Sequence, residues 1–285
     1  MLAPNTPQGR ASAPRAQQQH TLTGDFRTHA KFHSKFLPTD RDVLVYLPPG
    51  YERETGRRYP VLYLHDGQNL FDGATSFIPG QDWRVDETAQ SLIESKTIEP
   101  VIIVGVYNTG RERVEEYTPS ADPKFKVGGK AEMYGRLLVE ELKPFIDSHY
   151  RTKADAKNTG LGGSSLGGLV TMYLGLHYPD VFGKLAVVSP SVWWDNRRIL
   201  GDVAAFGSKQ HARVWLDMGT DEGANAASDA RSLRDALLAK GWRLDADLKY
   251  FEAVGAKHDE AAWAERVGPM LRFLFGRNTG QSPPR

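Results

Sequence analysis

The chain has no cysteine among its 285 residues. This removes disulfides, thiolate metal sites and cysteine nucleophiles from consideration. It also has almost no net charge, with 36 Lys and Arg against 35 Asp and Glu. A nucleic-acid partner calls for a basic surface, and none is expected here. No apolar run approaches the length that crosses a bilayer, so no membrane partner is expected either. Residues 1–20 are rich in Ala, Pro, Gln and Arg and lack the apolar centre of a signal peptide. They read as a disordered arm, compatible with a cytoplasmic protein or with an exported one whose leader is absent from this chain. Residues 278–285 read as a loose tail.

What the sequence does contain is a regular alternation of strands and helices from 21 to 277 with no linker-like break. Strands are predicted at 26–36, 42–47, 59–65, 100–107, 185–189, 212–218 and 245–251, with a further short one just before Gly162. Several are short apolar runs of the kind buried on both faces. Helices are predicted at 83–95, 132–148 and 225–240. Another follows Gly168, with Leu169, Met172, Tyr173 and Leu176 as its buried face, and a last one carries Trp263, Val267, Leu271 and Leu274 on one side. Residues 117–129 read as a surface loop. This alternation predicts one α/β domain over 21–277, doubly wound around a mainly parallel sheet with helices on both faces.

Within it, Gly162-Gly163-Ser164-Ser165-Leu166-Gly167-Gly168 stands between a short strand and an apolar helix. The pattern G-x-S-x-G fits with Ser165 at its centre. A serine on a tight strand-to-helix turn is presented above the sheet edge, and its neighbours must be small because the two backbones approach closely. The next N–H, that of Leu166, points at the same spot, and the helix N-terminus favours a developing oxyanion. A phosphate-binding loop is the alternative, but no G-K-[ST] follows.

A serine hydroxyl needs a base. After the serine come a strand ending in Gly219-Thr220-Asp221-Glu222-Gly223, a helix, another strand, and a Gly/Ala loop holding His258. Serine, acid and histidine in this chain order are those of an α/β-hydrolase triad. His258 is the best placed of the eight histidines. His65 also ends a strand at the active face, where it is either a supporting residue or a structural one. His29 and His33 fall on a strand, where spacing of four does not converge on a metal, and no metal or cofactor is expected. Asp221 and Glu222 are adjacent, and either could be the acid. The second oxyanion donor is expected from the loop after strand 59–65, as the N–H of Gln68 beside Gly67. Phe71, Arg111, Trp193 and Trp194 lie on loops predicted to reach the active face and are candidate pocket walls.

His65-Asp66-Gly67-Gln68-Asn69-Leu70-Phe71, 162–168, Ser189-Pro190-Ser191-Val192-Trp193-Trp194, 219–223 and His258-Asp259-Glu260-Ala261-Ala262-Trp263 together resemble the esterase D-like putative esterase family of α/β-hydrolases. That family includes enterochelin, feruloyl and acetylxylan esterases, and the likeness spans about 43–275. The resemblance implies an α/β-hydrolase fold, with Ser165 as nucleophile, His258 as base, and Leu166 and Gln68 at the oxyanion positions. It tips the acid towards Glu222. It implies a serine carboxylesterase acting through an acyl-enzyme on small-molecule esters of short-chain, aryl or carbohydrate-linked type. A siderophore esterase or an acyltransferase is the alternative, and a catalytically inactive binding relative a third.

Overall fold

The structure, a computed structural model, describes residues 20–207 and 211–277. The arm and tail read from the sequence lie outside these residues, except for His20. The chain opens with β1 (Asp25–Phe32) and β2 (Arg41–Leu47), then β3 (Val61–His65), α1 (Val85–Glu94) and β4 (Ile102–Val106). The first strand ends earlier than its pattern predicts, because His33 and Asp40 close a turn at 2.8 Å around Pro38.

A one-turn helix α2 (Arg113–Glu116) leads into a hairpin of β5 (Ala121–Asp122) and β6 (Val127–Gly128). Residues 117–129 are therefore not simply a surface loop. Tyr117 and Thr118 are fully buried, and the Tyr117 ring packs against His65 and Tyr134 beneath the sheet edge. The predicted helix 132–148 is one helical run, α3 (Ala131–Arg136), a π turn (Leu137–Leu142) and α4 (Lys143–His149). Then come β7 (Thr159–Ser164), α5 (Leu166–His177), β8 (Lys184–Val188), α6 (Trp194–Ala205), β9 (Arg213–Gly219), α7 (Ala226–Ala239), β10 (Leu248–Ala253) and α8 (Glu260–Phe275).

Eight strands make one sheet in the order β1-β2-β4-β3-β7-β8-β9-β10. The pairs β1–β2 and β2–β4 are antiparallel and the rest parallel. Period-two alternation divides each central strand between two cores. Val43, Val45, Val61, Tyr63, Ile102 and Val104 face one core. Leu44, Tyr46, Leu62, Leu64 and Ile103 face the other, together with residues of α1 and α8. Burial on both faces explains why these strands read as unbroken apolar runs. Helix α5 is buried on nearly every side, beyond the single stripe expected, because it contacts β7 and β8 as well as α3 and α6.

The fold brings the C-terminal ends of β3, β7, β8 and β9 to one edge, where the loops of an open α/β sheet gather. Among the described residues no helix is long and apolar enough to cross a membrane. No group of three or more His, Asp or Glu among them could hold a metal ion.

Candidate active site

Ser165 sits between β7 and α5 with φ 59° and ψ −121°. This is a strained conformation for a residue with a Cβ, of the kind that persists where the surroundings over-determine it. The small neighbours are required. A Cβ on Gly162 would come within 2.6 Å of the Ala186 Cβ, and one on Gly168 within 2.7 Å of the Val188 carbonyl oxygen. The turn is tied to β8, since the Ser165 N–H donates to the Val188 carbonyl at 3.1 Å.

His258 donates from Nδ1 to Glu222 Oε2 at 2.7 Å. The same carboxylate accepts at Oε1 from the Ser189 hydroxyl and the Gly219 N–H, both at 2.7 Å, and from Arg266 Nη2 at 3.3 Å. Burial opposes ionisation of Glu222, whose side chain is 1% exposed. The hydrogen bonds from His258 and Ser189, with the charges of His258 and Arg266, outweigh it and hold the carboxyl below the usual range. Behind it, Asp217 accepts from Arg266 Nη1 at 2.9 Å and Trp215 Nε1 at 2.6 Å. Burial pushes Asp217 up to about 6 against the pull of Arg266. Trp263 completes the support: its Nε1 donates to Ser189 Oγ at 3.1 Å, and its ring meets that of His258 edge-on at 4.9 Å.

With Nδ1–H committed to Glu222, His258 Nε2 is left as the basic nitrogen. Ser165 Oγ lies 3.3 Å from Ser191 Oγ. Among the described residues it makes no hydrogen bond with His258, although both line one cavity of about 520 Å³. The amides of Gln68 and Leu166 have no acceptor among the hydrogen bonds of the described residues. Leu166 opens α5, and Gln68 lies in a single 3-10 turn (Gly67–Asn69) directly after β3.

Asp66 shapes that turn. It has φ 58° and its carboxylate is gripped by Arg113 through two bonds of 2.7 Å and by Asn108 Nδ2 at 2.7 Å. His65 ends β3 and lines none of the described cavities. It is 1% exposed and its Nδ1 pairs with Tyr134 Oη at 2.9 Å. Burial lowers its pKa to about 3 against the pull of Asp66, with the charge of Arg113 adding a lesser push in the same direction as burial.

A second cleft of about 270 Å³ opens on the other flank of His258, lined by Trp193, Glu222 and Arg197 among others. Trp193 is half exposed and forms part of its wall. The other three predicted wall residues are placed differently. Phe71 is 1% exposed and packs edge-on against Phe26 in the core. Trp194 is buried, with its indole N–H on the Ser120 carbonyl at 2.9 Å. Arg111 is exposed on a turn and lines none of the described cavities; Arg113, two residues on, reaches the site instead. Asp221 is exposed and engages through its backbone N–H, which donates to the Ala256 carbonyl.

Sequence reasoning gave no role to Ser189, Arg266, Asn69, Glu260 or Phe77. A signal existed for Arg266, a charge set among Trp263, Val267 and Met270 on the apolar face of a helix.

The family model described as Putative esterase matches residues 34–274. An uncharacterized Bacillus subtilis protein, YbbA, is 26% identical over 251 residues, covering 84% of this chain and 94% of that one. An endo-1,4-beta-xylanase/feruloyl esterase of Xylanibacter ruminicola is 29% identical over 240 residues, which are 81% of this chain but 29% of that larger protein. Among solved structures, an IroE-like serine hydrolase from Shewanella oneidensis superposes with a TM-score of 0.71 at 22% identity, covering 88% of this chain and 80% of that one. Its likeness is one of fold, and that fold is the α/β-hydrolase.

Proposed function

The chain belongs to the Putative esterase family and is a serine hydrolase of carboxylic esters, and from that premise we propose that Ser165, His258 and Glu222 carry the reaction. Ser165 Oγ attacks the ester carbonyl carbon while its proton passes to His258 Nε2. The imidazolium is held by Glu222, and the oxyanion by the N–H groups of Leu166 and Gln68. The C–O bond to the alcohol then breaks, and His258 returns the proton to the leaving oxygen. A water molecule, deprotonated by the same nitrogen, attacks the acyl-enzyme, releasing the acid and restoring Ser165.

The observation that carries this reading is the 2.7 Å bond between Glu222 and His258, on a histidine that shares its cavity with a serine at a strained elbow. The substrate is a small-molecule ester, of the size a cavity of about 520 Å³ admits. Steady-state hydrolysis of 4-nitrophenyl acetate and butyrate tests it. Ser165→Ala is expected to lower kcat by about 10³-fold or more, and activity at the wild-type level would contradict the assignment. Added acceptor alcohols separate hydrolysis from acyl transfer by the products formed.

A further inference from the structure

The cavity that holds Ser165 and His258 contains two other carboxylates, Asp66 and Glu260. Asp66 is neutralised by the two-bonded contact with Arg113. Glu260 is not. It is 4% exposed, and among the described residues no Lys, Arg or His lies within ion-pair distance of it. Its one side-chain partner is Asn69, whose Nδ2 donates to Glu260 Oε1 at 3.2 Å. The orientation of that amide is set from the other end, because Asn69 Oδ1 accepts the Phe77 N–H at 2.9 Å.

A carboxylate buried without a cation is unfavourable, and burial raises the pKa of Glu260. Glu260 opens α8, where the helix dipole favours an acid. The first N–H of the helix, its own, bonds this carboxylate, while Asp259 takes the cap role by accepting the Ala262 N–H at 2.9 Å. What remains is its place in the wall of the cavity, two residues beyond His258.

We propose that Glu260, oriented by Asn69, is a substrate-binding residue that accepts a hydrogen bond from an O–H or N–H group on the ester and excludes esters carrying a second negative charge. The inference rests on the reading of Ser165 as nucleophile in this cavity. An incoming donor group would add to the bonds that Glu260 receives from Asn69 and from its own N–H, whereas a carboxylate would face a like charge, with Arg113 committed to Asp66. A hydrogen bond to a charged group of this kind separates matched substrates by roughly tenfold to a hundredfold.

The test is a panel of methyl 3-arylpropanoates bearing hydrogen, hydroxyl, aminomethyl or carboxylate at the para or meta position. It is run on the wild type, Glu260→Gln and Glu260→Ala, with fluorophosphonate labelling of Ser165 on each protein. In the wild type, kcat/KM for the best hydroxyl or aminomethyl ester should exceed that of the unsubstituted ester by about tenfold or more, mainly through KM, and the carboxylate ester should fall about as far below. Preference for both donors marks an acceptor site; preference for the aminomethyl ester alone marks charge pairing. Glu260→Gln, which keeps an acceptor, should shrink the penalty on the carboxylate ester, and Glu260→Ala should also erase the hydroxyl preference. A flat wild-type panel with labelling intact overturns the proposal and leaves the Ser165 reading standing. Loss of both labelling and turnover in the wild type overturns the reading beneath it. The wild-type panel decides even if a variant fails to fold.

Discussion

Glu222 Oε2 and His258 Nδ1 are 2.7 Å apart, while the neighbouring carboxylate of Asp221 is exposed to solvent. Two acids that are almost equivalent in sequence are thereby separated. Glu222 turns inward because Gly219, Ser189 and Arg266 all donate to its other oxygen. Glu222→Gln is expected to lower kcat by about 10²- to 10⁴-fold, since the amide leaves the imidazole tautomer and the imidazolium unsupported. Asp221→Asn should stay within about twofold of wild type. Steady-state kinetics on a single activated ester, with both variants checked for folding, measures the contrast.

Arg266 joins two buried acids, Asp217 and Glu222, and its own side chain is 3% exposed. Arg266→Met would remove the cation from both. Breaking a buried pair from one side costs about 3–5 kcal/mol. A marked fall in the denaturant midpoint is expected, together with reduced kcat.

The adjacent tryptophans should respond oppositely. Trp194 is buried and its indole N–H is bonded, so Trp194→Ala should cost about 3–5 kcal/mol of stability. Trp193 is 50% exposed on the wall of the cleft beside His258. Trp193→Ala should change stability by less than about 1 kcal/mol while raising KM for bulky esters. Chemical denaturation and kinetics on the same two proteins separate these effects.

His65 gives the fold a pH dependence of its own. Its folded pKa of about 3 lies below the ordinary 6.5. Between those values the unfolded chain binds a proton that the folded chain does not. Stability is therefore full above about pH 6.5 and declines as pH falls towards 3, with a slope approaching about 1.4 kcal/mol per unit. Buried acids such as Asp217 contribute with the opposite sign, so the slope is read from the difference in stability between wild type and His65→Asn, measured from pH 7 to 4.

Much of this was legible in the chain itself. The elbow could be read because close backbone approach demands glycine at 162 and 168, and the central strands because burial on both faces leaves unbroken apolar runs. The order of serine, acid and histidine follows from strand order. Loop side chains were harder. Nothing local distinguishes Phe71, which turns into the core against Phe26, from Trp193, which stays at the surface. Both follow strands, and their directions are set by partners far away in sequence. Arg111 and Arg113 differ only in which one meets Asp66, a contact spanning 47 positions. The support behind Glu222 is likewise assembled from β8, β9 and α8, and no single stretch of sequence encodes it.

We propose Ser165 as the nucleophile activated by His258. Its most direct test is to treat the protein with a fluorophosphonate and locate the adduct by peptide mass spectrometry. A single modified residue, Ser165, is expected, with labelling slowed at least about a hundredfold in His258→Ala. An adduct on Ser164 or Ser191, or labelling of Ser165 at the same rate without His258, would contradict it.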